Sequence, residues 1–189
     1  MKRIVIALIC ILFSTLAIAQ EHLEFRGIPL DGSSTSFIAK LTEDGFKYEG
    51  RENDCDKLIG IFAGKDCTLY LESTATTKTV HAACVIINKQ TEWENVKADY
   101  ALLKQGLTAK YGEPYESKEE FRGGFKEGDG YEYAAFYGDK ADWYSNFQTE
   151  LGDISLSIKY QEYFSMAVVV TYRDKANSSK VIKELTEVL

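Results

Sequence analysis

The chain has 189 residues, 29 acidic against 22 basic side chains for a net charge of −7, and only two histidines. Without clustered Lys and Arg it lacks the electrostatic footprint of a phosphate binder, which excludes nucleic acid as a partner class. Zinc sites built on paired histidines and triads with a histidine base are close to excluded, and no G-x-S-x-G, phosphate loop, dinucleotide fingerprint or His-Glu-x-x-His is present.

The first twenty residues carry Lys2 and Arg3, an apolar run from Ile4 to Phe13, and the small-residue ending Ala17, Ile18, Ala19. This pattern predicts a cleaved secretory signal peptide over residues 1 to 19, too short for a membrane span. Cys10 follows Ile9 rather than a small residue, which argues against a lipoprotein. Cleavage removes two bases and no acid, leaving 170 residues from Gln20 with a net charge of −9. The expected location is periplasmic or secreted, because no later apolar stretch approaches the ~18 residues that a spanning helix needs. A chain of this length can bury roughly 70% of its unfolded surface, so a single globular domain over residues 20 to 189 is expected.

The first predicted helix begins at Ser33 or Ser34, carries Phe37, Ile38 and Leu41 inward, and stops at Gly45. Strands follow at residues 46–50, 56–64, 67–74 and 79–87. A second, longer helix spans residues 91 to 112. Thr91 and Glu94 form a capping box at its start, Trp93, Val96, Tyr100, Leu103 and Leu107 draw one apolar stripe, and Gly112 with Pro114 ends it. Strands are then predicted at residues 118–125, 131–138, 141–147, 153–160 and 166–174, with a tight turn at Gly138 and Asp139. A last helix at residues 177–189 is capped by Asn177 or Ser178 and points Val181, Ile182, Leu185 and Val188 inward.

The order is a helix followed by antiparallel strands, written twice over about 25–90 and 91–175. Each unit alone leaves one sheet face uncovered. The expected fold is therefore α+β: a tandem helix-plus-sheet repeat whose halves join into one antiparallel sheet with helices on one face, plus the C-terminal helix.

Three cysteines follow the expected cleavage point. With a turn at Ala75 and Thr76, Leu71 faces Val80, Leu69 faces Ala82 and Cys67 faces Cys84, all on one apolar face. A Cys67–Cys84 disulfide is the favoured reading, leaving Cys55 single; three buried thiols acting as small hydrophobes stand nearly level with it. The acidic setting of Cys55 in NDCDK raises a thiol pKa and makes a nucleophile there a weak reading.

Carboxylates gather at Glu113, Glu116, Glu119, Glu120, Glu127 and Asp129. A solvated acidic surface explains them better than a hydrolase pair, and neither KEGDGYE nor RENDCD has calcium-loop spacing, so no metal or cofactor is expected. The aromatic content is unusual, with 12 Tyr, 10 Phe and 2 Trp. Pairing of Tyr133 with Tyr144 across the Gly138 and Asp139 turn places aromatics on both faces of a hairpin, and both faces cannot be equally buried. The expected function is a non-enzymatic module that holds a protein partner on an open sheet face through Tyr131, Tyr133, Trp143 and Tyr144. Glycan binding and a carboxylate-dependent hydrolase are the alternatives.

The residues Phe25, Gly27, Ile28, Pro29, Leu30, Asp31 and Gly32, then Phe37, Leu41, Gly45 and Phe46, then Trp93, Tyr100, Tyr111, Gly112 and Pro114, and finally Tyr172, Arg173 and Asp174 carry a resemblance. The pattern resembles an uncharacterised family of secreted proteins from Bacteroidota over nearly the whole of residues 20 to 189. These are capping, turn and packing residues, and the resemblance implies no catalytic group. The tandem layout is also similar to that of the beta-lactamase inhibitor protein, whose aromatic concave sheet grips an enzyme; this likeness is one of architecture.

Overall fold

The computed structural model describes residues 22 to 187; the expected signal peptide and Val188 lie outside them. The first elements are a small hairpin, β1 (Glu24–Phe25) and β2 (Ile28–Pro29), followed by helix α1 (Ser34–Glu43). Helix α1 starts where Ser33, in extended conformation, accepts a hydrogen bond from the Ser36 amide at 3.3 Å. It ends at Asp44, and Gly45 takes the left-handed φ of 94° that turns the chain back toward the sheet. Strands β3 (Lys47–Glu52), β4 (Cys55–Phe62), β5 (Lys65–Ser73) and β6 (Val80–Ile87) then form an antiparallel meander.

The second half repeats the order on a larger scale. Helix α2 (Trp93–Tyr111) leads into β7 (Glu116–Phe121), helix α3 (Glu132–Tyr137), β8 (Ala141–Gln148), β9 (Gly152–Tyr160) and β10 (Met166–Asp174), and helix α4 (Lys175–Thr186) follows. The two meanders join through their last strands, giving one eight-stranded sheet in the order β3-β4-β5-β6-β10-β9-β8-β7. Every pairing in it is antiparallel. Its two outer strands, reading KYEGRE and ESKEEF, are charged, and β3 is further broken by a register shift between Tyr48 and Gly50. Both devices discourage edge-to-edge association.

One face of the sheet carries the core. Leu58, Leu69, Val85, Val170 and Leu156 succeed each other across five strands, and Phe37 and Leu41 of α1 with Val96, Tyr100 and Leu107 of α2 pack against that layer. In the first half the filling is by phenylalanine: Phe25 stacks on Phe62 at 5.8 Å and meets Tyr172 edge-on at 5.4 Å. In the second it is by Trp93, which meets Trp143 at 4.9 Å and Phe121 at 5.4 Å. Burial of such rings contributes about 0.5–1.5 kcal/mol per aromatic pair beyond the area term.

Four local expectations are corrected. Residues 131–138 contain helix α3 instead of a strand, because Glu132, Ala135 and Phe136 recur at helical spacing and two alanines favour the helix. Loop carboxylates fix its start: Asp129 accepts from the amides of Lys126 and Tyr131, each at 2.8 Å, and Glu132 from that of Gly128 at 2.7 Å. Helix α2 begins at Glu92 with no side-chain cap, so the Thr91 and Glu94 capping box does not form. The mutual backbone bonds of Gln90 and Met166, 2.8 Å each, hold the chain in the sheet up to that corner.

Helix α4 begins two residues early, capped by Asp174, whose carboxylate accepts from the Asn177 amide at 2.7 Å and the Leu23 amide at 2.8 Å. The buried Asn177 amide then binds the Leu30 carbonyl at 2.8 Å and Asp31 at 3.0 Å. These polar anchors set the helix rotation and leave Ile182 and Leu185 exposed at 66% and 57% instead of inward. The fourth correction is the β5–β6 register. A loop closed by Thr74 and Thr79, with a register shift between Glu72 and Ser73, sets Cys67 opposite Ile87 and Cys84 opposite Tyr70. The slip is an odd number of residues, so Cys67 faces the core and Cys84 the other side; no disulfide joins them, and all three described cysteines are free.

Candidate functional site

Helices α1, α2 and α3 turn their packed side chains to the core side of the sheet and not to the opposite face. Successive strand partners define transverse rows across all eight strands. One row reads Lys47, Ile59, Thr68, Ile86, Val169, Ser157, Tyr144, Lys118. The next reads Gly50, Lys57, Tyr70, Cys84, Thr171, Ser155, Asn146, Glu116. These residues remain exposed or half-buried, while on the six inner strands their sequence neighbours point into the core. At ~4.8 Å per strand, each row is ~34 Å long.

The chemistry of the face changes from flank to centre. On the first flank Lys57 pairs with Glu52 at 2.6 Å and lies 6.0 Å from the Tyr70 ring centroid. The Lys57 bond holds the Glu52 carboxyl below its ordinary range. On the other flank Tyr144 donates to Glu116 at 3.0 Å, Asn146 to the same carboxylate at 3.1 Å, and Lys118 binds Asp142 at 2.6 Å. Donation to Glu116 raises the Tyr144 phenol above its usual pKa. Between the flanks these two rows carry shorter side chains: Cys84, Ile86, Val169, Thr171, Ser155 and Ser157. The result is a trough whose rims are tied by ion pairs. Near one end Tyr115, Asn146, Asp153, Ser155, Thr171 and Arg173 enclose about 280 Å³.

Of the four aromatics expected on this face, one is there. Tyr144 lies in the first row. Trp143, its neighbour, points to the opposite side and is 6% exposed within the aromatic core. Tyr133 sits on α3, half-buried and edge-on to Phe164 at 5.3 Å, so it does not pair with Tyr144. Tyr131, at the start of α3, is 60% exposed and apart from the sheet face. The residues missed were Tyr70, Ile86 and Val169. Alternation within CTLYLEST signals Tyr70, but its place beside Cys84 follows only from the true register, and the β6–β10 junction that joins Ile86 to Val169 has no local signal.

The acidic run divides among partners. Glu119 binds Lys104 at 2.6 Å, Glu120 binds Lys118 at 2.9 Å, and Glu127 accepts from Trp93 at 3.1 Å and from Lys97. These are the solvated, ion-paired roles of surface carboxylates. Among the described residues no group of three or more His, Cys, Asp or Glu side chains could hold a metal ion. Nor, among them, is any helix long and apolar enough to cross a membrane. Burial pushes the Cys67 thiol up to about 11, and burial likewise raises Cys84 and Cys55, so none is poised as a thiolate. Neither a family model, nor a curated protein, nor a solved structure matches the chain.

Proposed function

We propose that the chain is an exported, non-catalytic binding module, periplasmic or secreted, that holds a protein partner on the open face of its eight-stranded sheet. One observation carries this reading. The row from Ile59 through Ile86 and Val169 to Tyr144 places apolar and aromatic groups in water, on the side of the sheet that folding does not use. A protein partner of ordinary size, covering ~800 Å² on this chain, spans such a row and finds charged groups at both of its ends. Side chains between tied rims lose little conformational freedom when a partner docks.

The test is site-specific photo-cross-linking in the cells that make the protein. A photoreactive residue at Ile86 or Ser157 should give one defined protein adduct that Val169→Lys removes, whereas one at Leu102, exposed on α2, should give none. No adduct from the sheet face, or the same adduct from Leu102, sinks the reading. Glycan binding is the second reading, and a different place favours it. Tyr131, Tyr137, Tyr163 and Phe164 are 60%, 73%, 85% and 65% exposed around α3 and the β9–β10 hairpin. Retention on a glycan array that survives Val169→Lys and is lost with Tyr137→Ala would favour it.

A further inference from the structure

Three hairpins of the large sheet turn through the same left-handed backbone. In the β3–β4 turn Asn53 and Asp54 have φ of 50° and 64°, in the β4–β5 turn Ala63 and Gly64 have 50° and 78°, and in the β9–β10 turn Tyr163 and Phe164 have 55° and 58°. Two consecutive residues of positive φ suit a tight hairpin, and Asn, Asp and Gly adopt them at least cost. The first turn follows that rule and the second follows it at Gly64. The third, closed by the Ser165 amide donating to the Glu162 carbonyl at 3.3 Å, holds two bulky rings instead. Bulky residues in this conformation weaken folding, and such outliers gather at binding sites.

The core does not take up these rings: Tyr163 is 85% and Phe164 65% exposed. They stand beside α3, where Tyr133 and Tyr137 lie one turn apart on the same side of the helix. Phe164 meets Tyr133 edge-on at 5.3 Å, and Tyr160, the last residue of β9, meets Tyr137 edge-on at 5.0 Å. Charge is sparse here on a chain of net charge −7: residues 133–137 carry none, and Glu162 is the single charged residue within 160–166. The size of the patch limits its occupant. At roughly 200 Å² per aromatic side chain, the exposed parts of Tyr137, Tyr163 and Phe164 offer about 450 Å². A protein partner covers ~800 Å², so this corner suits a smaller ligand.

We infer that this corner binds a neutral, cellulose-like glycan, its sugar rings lying on the free faces of Tyr137, Tyr163 and Phe164 and its hydroxyls meeting the side chains of Gln161 and Glu162. A chain of β-linked glucose is flat because its substituents are equatorial, and it presents apolar C–H faces and hydroxyl edges, as the phenol rings present an apolar body and a polar tip. A charge-poor patch on an acidic chain favours this over an acidic glycan. The site rests on the glycan reading of the same corner and narrows it to a ligand class and to the turn; the open sheet face keeps its own partner.

The test is calorimetric titration of the folded chain with cellohexaose, beside a double variant that carries Tyr163→Asn and Phe164→Gly. Those residues suit the turn, so the variant should melt ~4 °C higher and yet bind cellohexaose about tenfold more weakly. Gain of stability with loss of binding separates a ligand site from a structural one. Tyr137→Ala, at a position 73% exposed, should also cost about tenfold. Absence of heat at millimolar cellohexaose overturns the inference, while retention of other sugars on a glycan array would keep the wider glycan reading. Heat that is intact in the turn variant and lost in Tyr137→Ala leaves that reading standing and overturns the part given to the turn. A turn variant that melts lower assigns the rings to holding the corner together, and phosphatidylcholine vesicles that retain the wild type but not the turn variant assign them to a membrane; either result overturns the inference.

Discussion

In the first half the ten-residue helix α1 packs on β3, the outermost strand of its meander. In the second, the nineteen-residue helix α2 lies over β8, β9 and β10, one strand further in, and reaches β7 through the Lys104 contacts to Ser117 and Glu119. Phe25, Phe46 and Phe62 close the first half to its edge. The large rings of the second half gather at the α2 start, and Ala101, Thr108 and Ala109 occupy the flank beyond. The same order of elements therefore gives a closed layer in one half and a groove in the other. Helix length and the placing of bulky side chains make the difference.

Paired substitutions measure how far this contrast extends. The largest loss is expected at Gly152, where an added Cβ would lie 2.1 Å from the backbone oxygen of Arg173. In the first half, Gly60 would place a Cβ 2.6 Å from the Phe46 ring, a side chain able to move. Urea unfolding should show a loss of about 4 kcal/mol for Gly152→Ala and about 1 to 2 kcal/mol for Gly60→Ala. Equal losses would mean that the phenylalanine layer of the first half is as unyielding as backbone.

A smaller effect compares the helices. Leu41 is fully buried and Leu107 is 6% exposed. Leu41→Ala should cost about 3 kcal/mol and Leu107→Ala about 2 kcal/mol, the remaining α2 contacts limiting the second loss. A larger loss at Leu107 would show that α2, and not α1, is the more tightly fitted helix.

The smallest effect concerns the tie between the halves. Glu184 of α4 accepts from the amides of Thr76 at 2.8 Å and Thr77 at 3.3 Å in the β5–β6 loop, and these bonds pull its pKa down to about 2. An unfolded glutamate titrates near ~4.3, so the stabilisation is full above that pH and is lost as the pH falls toward the folded value. Melting curves of wild type and Glu184→Gln should therefore differ by a constant amount near neutrality and converge on acidification to pH 2. A difference that persists at pH 2 would assign the bond a packing role instead of a charged one.

Much of the fold can be read along the chain. Ser33, Gly45, Gly112 and the alternation of DISLSIKY act through their own backbone neighbours, so helix ends and strand faces follow from local rules. The candidate site was less legible. Trp143 and Tyr144 are adjacent and strongly aromatic, but only the pairing of β8 with β9 fixes which one faces water. The Cys67 and Cys84 register failed because its turn was centred too early, and an odd slip exchanges the faces of a strand completely. α3 was missed because the five-residue apolar run from Tyr133 to Tyr137 satisfies strand and helix patterns alike.

The sequence by itself determined the α+β class, the order of helix and meander in each half, and the acidic surface. These depend on periodicity, capping and composition, which act over a few residues. Tertiary structure decided that β6 and β10 meet at the centre, that Ile86 and Val169 therefore share a water-facing row, and that α2 stops short of β7. The first two depend on strand pairs more than eighty positions apart and the third on contacts such as Tyr100 with Ser145, 45 apart, where only the packing of the whole core selects the partner.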